Sequence, residues 1–159
     1  DSYGQGRTVY DEDVHVPLMF WFPRRFSAPL RSDIVGAHVD VAPTIMDLLG
    51  LPAAPDWFGR SLLAGSHPAR AYFYVAEDQF RLGVREGSWK YIYDLRGGVE
   101  ELYQLDRDPN EQTNVAAAEP ARSARLRQRL AAWTEANRRQ YEQVSAPRVE
   151  RASAGLIAH

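Results

Sequence analysis

Phe80-Arg81-Leu82-Gly83-Val84-Arg85-Glu86-Gly87-Ser88-Trp89-Lys90-Tyr91-Ile92-Tyr93-Asp94-Leu95 alternates, turns and alternates again. Residues 80–85 place an apolar or small side chain at every second position, Glu86-Gly87 is a turn dipeptide, and residues 89–95 resume the period of two. Working outward, residues 71–75 are aromatic-rich, Gly97-Gly98 is a second turn, and residues 101–105 read as a last strand. Short strands separated by glycine turns predict an antiparallel meander. Asp108-Pro109-Asn110 closes it with turn chemistry. Pro120 then opens a helix to about Gln143, with Leu126, Leu130, Trp133 and Tyr141 at helical spacing. Arg122, Arg125, Arg127 and Arg129 read as a solvated face of it, not an anion site. Residues 144–159 have no periodicity and read as a flexible tail.

Upstream the pattern differs. Val14-His15-Val16-Pro17-Leu18-Met19-Phe20-Trp21-Phe22-Pro23 is a nearly continuous apolar run, which suits a strand buried on both faces of a parallel sheet. Residues 24–32 are a polar loop. Asp40 is placed as an N-cap, Pro43 fits a first helical turn, and Val41, Ile45, Leu48 and Leu49 share a face that Gly50 ends. Residues 51–68 are Pro- and Gly-rich loop. The fold class expected is therefore α/β passing to α+β. An edge strand and helix of a mostly parallel sheet precede a small antiparallel sheet packed on a C-terminal helix. The units are 1–68, 69–143 and the tail 144–159.

Composition narrows the classes. With 45% hydrophobic and 25% charged residues, the chain is that of a globular protein. A net charge of -2 gives no electrostatic case for nucleic acid or an anionic membrane. No apolar run has the length of a membrane span. With no cysteine, this chain forms no disulfide and has no thiolate nucleophile or ligand. Asp1 is not a Met, and the first ten residues read as a loop leading into a strand, so a fragment of a longer protein is expected.

Five segments, in order, resemble the C-terminal third of a sulfatase of the alkaline-phosphatase superfamily. They are residues 4–12 leading into Val16-Pro17-Leu18, Val39-Asp40-Val41-Ala42-Pro43-Thr44, Gly59-Arg60-Ser61-Leu62, Val84-Arg85-Glu86-Gly87-Ser88-Trp89-Lys90-Tyr91, and residues 102–115. The resemblance implies hydrolysis of sulfate esters by a formylglycine made from a Cys/Ser-x-Pro-x-Arg motif. A divalent cation, usually calcium, polarises the sulfate. In the family the nucleophile and most metal ligands precede the segments found here. This chain is therefore expected to hold no catalytic residue and no metal ligand, and to be inactive alone as a buttress and cleft wall. The family commonly has Lys or His between the two glycines of the first segment, in contact with substrate. Here that position is Gln5, which donates a hydrogen bond but carries no charge. Arg7, two residues on, either replaces that charge or points away. Gln5 and Arg7 are thus the candidate substrate-binding residues, for a sulfate ester.

Two other readings remain: a phosphodiester or phosphonate ester hydrolase or phosphoglycerol-type transferase of the same superfamily, and a non-catalytic binding or assembly module. Self-association into a homo-oligomer through residues 16–22 stays open. Ser27-Ala28-Pro29-Leu30-Arg31 matches Ser-x-Pro-x-Arg, but it follows the apolar strand instead of preceding it, and reads as chance. His15 reads as a surface or packing residue, and His67 as a loop residue without a partner. Lys90 reads as a strand residue on a wet face. Asp106, Asp108 and Glu111 lack EF-hand spacing and read as turn chemistry that binds nothing, with Asn114 bracing the turn.

Overall fold

The computed structural model describes residues 8–76 and 80–145. The meander is present, as a four-stranded antiparallel sheet in the order β1-β2-β3-β4. Its strands are β1 Arg70–Val75, β2 Arg81–Glu86, β3 Trp89–Asp94 and β4 Glu100–Gln104. Gly87, at φ 58°, takes the left-handed turn that lets β2 and β3 pair at once.

Register sorts the side chains into rows. Tyr72, Val84, Tyr91 and Leu102 stand side by side across the strands on one face. Helix α3, Pro120–Ser145, lies over that row. Val84, Tyr91 and Leu102 form a core with Leu126 and Leu130 of the helix, with Trp133 packed at its margin. The Trp133 ring stacks on Tyr72 at 4.9 Å between centroids, 3° from parallel. Tyr141 lies beyond the sheet and is exposed, so the apolar face expected on α3 stops short of it.

The arginines of α3 do not form a solvated face. Arg125 and Arg129 pair with Glu86 of β2 at 3.1 and 2.9 Å, and Arg127 pairs with Glu100 of β4 at 2.9 Å. Arg122 stands over the Trp89 ring at 4.1 Å. These half-exposed pairs set the helix's angle on the sheet more than they stabilise it.

The opposite face of the sheet is also covered. Val75, Ile92, Tyr103 and Leu105 form a second core around Val9, with Tyr10 and Phe73 against it. Residues 8–14, which include the single-turn helix α1 Asp11–Val14, therefore form a third layer. No parallel strand pair occurs among the described residues. The strand expected at residues 14–23 is a correction: it begins as the end of α1, runs on outside any strand and enters a turn at Pro23. Met19 and Trp21 are 86% and 87% exposed, while Phe20 and Phe22 are half-buried beside Ile45, Leu48 and Leu49, so only part of its apolar character is used within the described residues.

Helix α2, Val41–Leu48, follows a 3-10 turn at His38–Asp40. Gly50, at φ 69°, ends it as expected. The buried residues of α2 are Pro43 and Thr44, while Ile45 and Leu49 are exposed. The apolar face expected on α2 is thus only partly covered: Val41 and Leu48 are half-buried, and Ile45, Leu48 and Leu49 line a shallow cavity with Phe20, Trp21 and Phe22.

After β4 the chain turns on Asp108, whose carboxylate accepts the Gln112 and Thr113 amides at 3.0 and 2.8 Å. Asn114 then braces the sheet edge. Its Oδ1 accepts from the Leu102 and Ala116 amides, and its Nδ2 donates to the Glu100 carbonyl. Asn114→Ala leaves the amide of fully buried Leu102 without that acceptor. It is expected to cost about 2 kcal/mol in urea unfolding followed by tryptophan fluorescence. A loss within error would mean that water replaces the side chain.

Candidate functional site

Gln5 and Arg7 lie outside the described residues. What the structure places is the segment that follows them. Thr8 closes its turn on Asp13, whose Oδ2 accepts from the Thr8 amide at 2.9 Å and its hydroxyl at 2.6 Å. Tyr10 donates to Glu101 Oε2 at 2.8 Å, Tyr103 donates to the same oxygen at 2.8 Å, and Arg81 donates to the Tyr10 hydroxyl at 3.0 Å. Burial, then the adjoining Glu101 carboxylate, raises the pKa of both phenols, which keeps them as donors.

Lys90 is the centre of this contact, and the wet-face reading is corrected. It is fully buried in β3. Its Nζ donates to Asp11 Oδ1 at 2.8 Å and pairs with Glu111 Oε1 at 2.9 Å, 5.4 Å above the Phe73 ring. Glu111 is equally committed. It accepts the Asp11 amide at 2.6 Å, and it holds φ at 53°, a left-handed conformation that a non-glycine residue keeps only when its surroundings impose it. Its expected role as simple turn chemistry is therefore also corrected: it binds Lys90 and the first turn of α1. Arg85, the cross-strand neighbour of Lys90, reaches Asp11 Oδ2 at 3.3 Å. Two cations thus face two carboxylates, and the cluster is neutral.

A second buried pair organises the loop after α2. Asp40 occupies the N-cap position, but its side chain does not cap α2. Its Oδ2 accepts the Ala37 amide at 2.8 Å and its Oδ1 the Arg60 amide at 2.9 Å. His67, read from sequence as partnerless, is the missing piece. Its side chain is fully buried, with Nε2 3.3 Å from Asp40 Oδ2, off the hydrogen-bond line. Its Nδ1 accepts the Ala69 amide at 3.1 Å, which assigns the ring proton to Nε2, facing the carboxylate. Thr44 completes the clasp, accepting the Leu62 amide at 2.9 Å and donating to the Asp40 carbonyl at 2.6 Å. His15 stands exposed, 3.9 Å from Asp11.

These residues do not fit a calcium ion. Among the described residues no three His, Asp or Glu side chains converge. The two carboxylates nearest one another in the first cluster are held by an ammonium. Ser27 lies in exposed loop. No step of sulfate chemistry is derived through this chain. Among the described residues no helix is long and apolar enough to cross a membrane.

The chain matches the model of a family described as N-sulphoglucosamine sulphohydrolase, C-terminal, over residues 2–137. It is 31% identical to arylsulfatase K of Mus musculus, over 77% of this chain and 25% of that protein. It is 29% identical to an N-acetylglucosamine-6-O-sulfatase of Bacteroides thetaiotaomicron, over 86% of this chain and 27% of that protein. A solved structure described as a complex with its substrate D-glucosamine-2-N,6-O-disulfate superposes with a TM-score of 0.50 at 27% identity, over 67% of this chain and 24% of the other. The chain thus spans about a quarter of the length of these relatives. A sheet braced by Asn114 and a first segment seated on Lys90 both fall within the matched residues, and the chain belongs to the C-terminal sulfatase family that this match defines.

Proposed function

We propose that this chain is the C-terminal portion of a sulfuric ester hydrolase. The match to the sulphohydrolase family over residues 2–137 carries that reading. In the parent protein a preceding portion supplies the formylglycine nucleophile and the calcium site. Here residues 69–143 act as a buttress and cleft wall, with residues 1–68 as the end of the α/β domain and 144–159 as a tail. The apolar residues 16–22 pack against the parent's preceding α/β portion. The exposed Val16, Leu18, Met19 and Trp21 support this, since such a strip is otherwise a liability in water. Gln5 and Arg7 contact substrate. Carbohydrate sulfates, the class that the relatives' names give, are the natural substrates to try.

The test is hydrolysis of an aryl sulfate with calcium, by the full-length protein and by this chain alone. The full-length protein is expected to release the phenol and this chain to release none. Turnover by the chain alone would overturn the assignment of the nucleophile elsewhere and return attention to Ser27. Gln5, where the family carries a basic residue, favours one second reading, a non-catalytic module. An inactive full-length protein that still binds sulfated sugar would establish it.

A further inference from the structure

A four-residue helix does not hold its own shape in water. Residues 8–14 are nonetheless fixed: Val9 is buried in the core on this face of the sheet, and the turn of α1 itself is held by Asp11 on Lys90, with Glu111 closing from the other side at the Asp11 amide. Lys90 sits in β3, an inner strand of the sheet, where the backbone is braced on both sides. With no exposed surface it cannot touch a substrate. Val9, equally buried, lies two residues after Arg7.

We infer that Lys90 is a positioning residue: by pairing with Asp11 and Glu111 at once, it fixes the point from which the segment bearing Gln5 and Arg7 departs, and so governs the substrate contact. The inference rests on the functional reading above. Without the ammonium, Asp11 and Glu111 hold two negative charges against Arg85 alone, and the buried Glu111 carboxylate repels the turn of α1 from the sheet. With a glutamine at 111, the amide still accepts the Asp11 N–H, and its NH2 group can donate to the Asp11 carboxylate.

The experiment compares wild type, Lys90→Met and Lys90→Met/Glu111→Gln in the full-length protein. It reads amide hydrogen exchange over residues 8–14, with α3 as the control for global opening, and kcat/KM on an aryl sulfate. Lys90→Met is expected to speed exchange in residues 8–14 at least ~10-fold relative to α3, and to lower kcat/KM about 10-fold. The double variant is expected to return both to within about threefold of wild type, because it removes the surplus charge. A lysine that merely fills space would show no such rescue. Unchanged exchange in Lys90→Met, or a double variant no better than the single one, would overturn the inference. So would faster exchange with unaltered kcat/KM. An inactive wild type would instead sink the enzymatic reading, with the exchange arm still deciding for or against the anchor. Should Lys90→Met fail to fold, the double variant must fold and retain slow exchange, and failure there rejects the proposal.

Discussion

Lys90→Met will destabilise the chain by about 3–5 kcal/mol, the range for removing one partner of a buried ion pair. Methionine matches the length of the lysine stem, so little cavity forms and the loss is electrostatic. Asp11 keeps Arg85 at 3.3 Å and has some access to solvent. Glu111, 4% exposed at its side chain, keeps only the Asp11 amide and is left charged and unpaired. Its left-handed backbone adds to the loss, because the pair that imposed that conformation is gone. Urea unfolding followed by tryptophan fluorescence measures the change, and a loss under about 1 kcal/mol would show that water enters to solvate Glu111.

Gly59→Ala is expected to cost about 3 kcal/mol, at the upper end of overpacking effects. An added Cβ would land on the Val39 carbonyl oxygen and come within 2.8 Å of the Asp40 nitrogen. Both are backbone atoms, so no side chain can rotate aside. The loop must lift, breaking the Arg60 amide's bond to Asp40 and the Leu62 amide's bond to Thr44. His67 then loses the carboxylate it faces. The damage should stay in residues 36–69 and spare the sheet. Hydrogen exchange can check this: protection should fall at Arg60 and Leu62 and hold at Tyr91 and Leu102. Equal loss in the sheet would mean that the two regions unfold as one.

The sheet was legible because its signals are local. Alternation, Glu86-Gly87 and Gly97-Gly98 set strand limits within about one residue of those found, and the Leu126/Trp133 spacing identifies the helix over it. What sequence reading missed is long-range. Lys90 alternates with Trp89 and Tyr91, so a helix on one face alone would leave Lys90 wet. The layer that buries it comes from Asp11, 79 residues away in the chain. His67 fails the same way: its partner Asp40 already has a local explanation as a helix cap. A lysine at an alternating strand position, with carboxylates in the flanking segments, was the only available hint. The apolar run at residues 14–23 misled in the other direction. Its composition is that of a buried strand, but a strand needs neighbours, and this chain offers it none among the described residues.

The three-layer order, with residues 8–14 and α3 on opposite faces of one sheet, has a consequence for synthesis on the ribosome. Asp11 emerges early, but its ion-pair partners are Lys90 and Arg85, and its amide's acceptor is Glu111. Hairpins β2–β3 and β3–β4 can close as they leave the tunnel, whereas the first layer must wait until about residue 111 has been made. Loop closure across that distance makes its docking the late, slow event of folding.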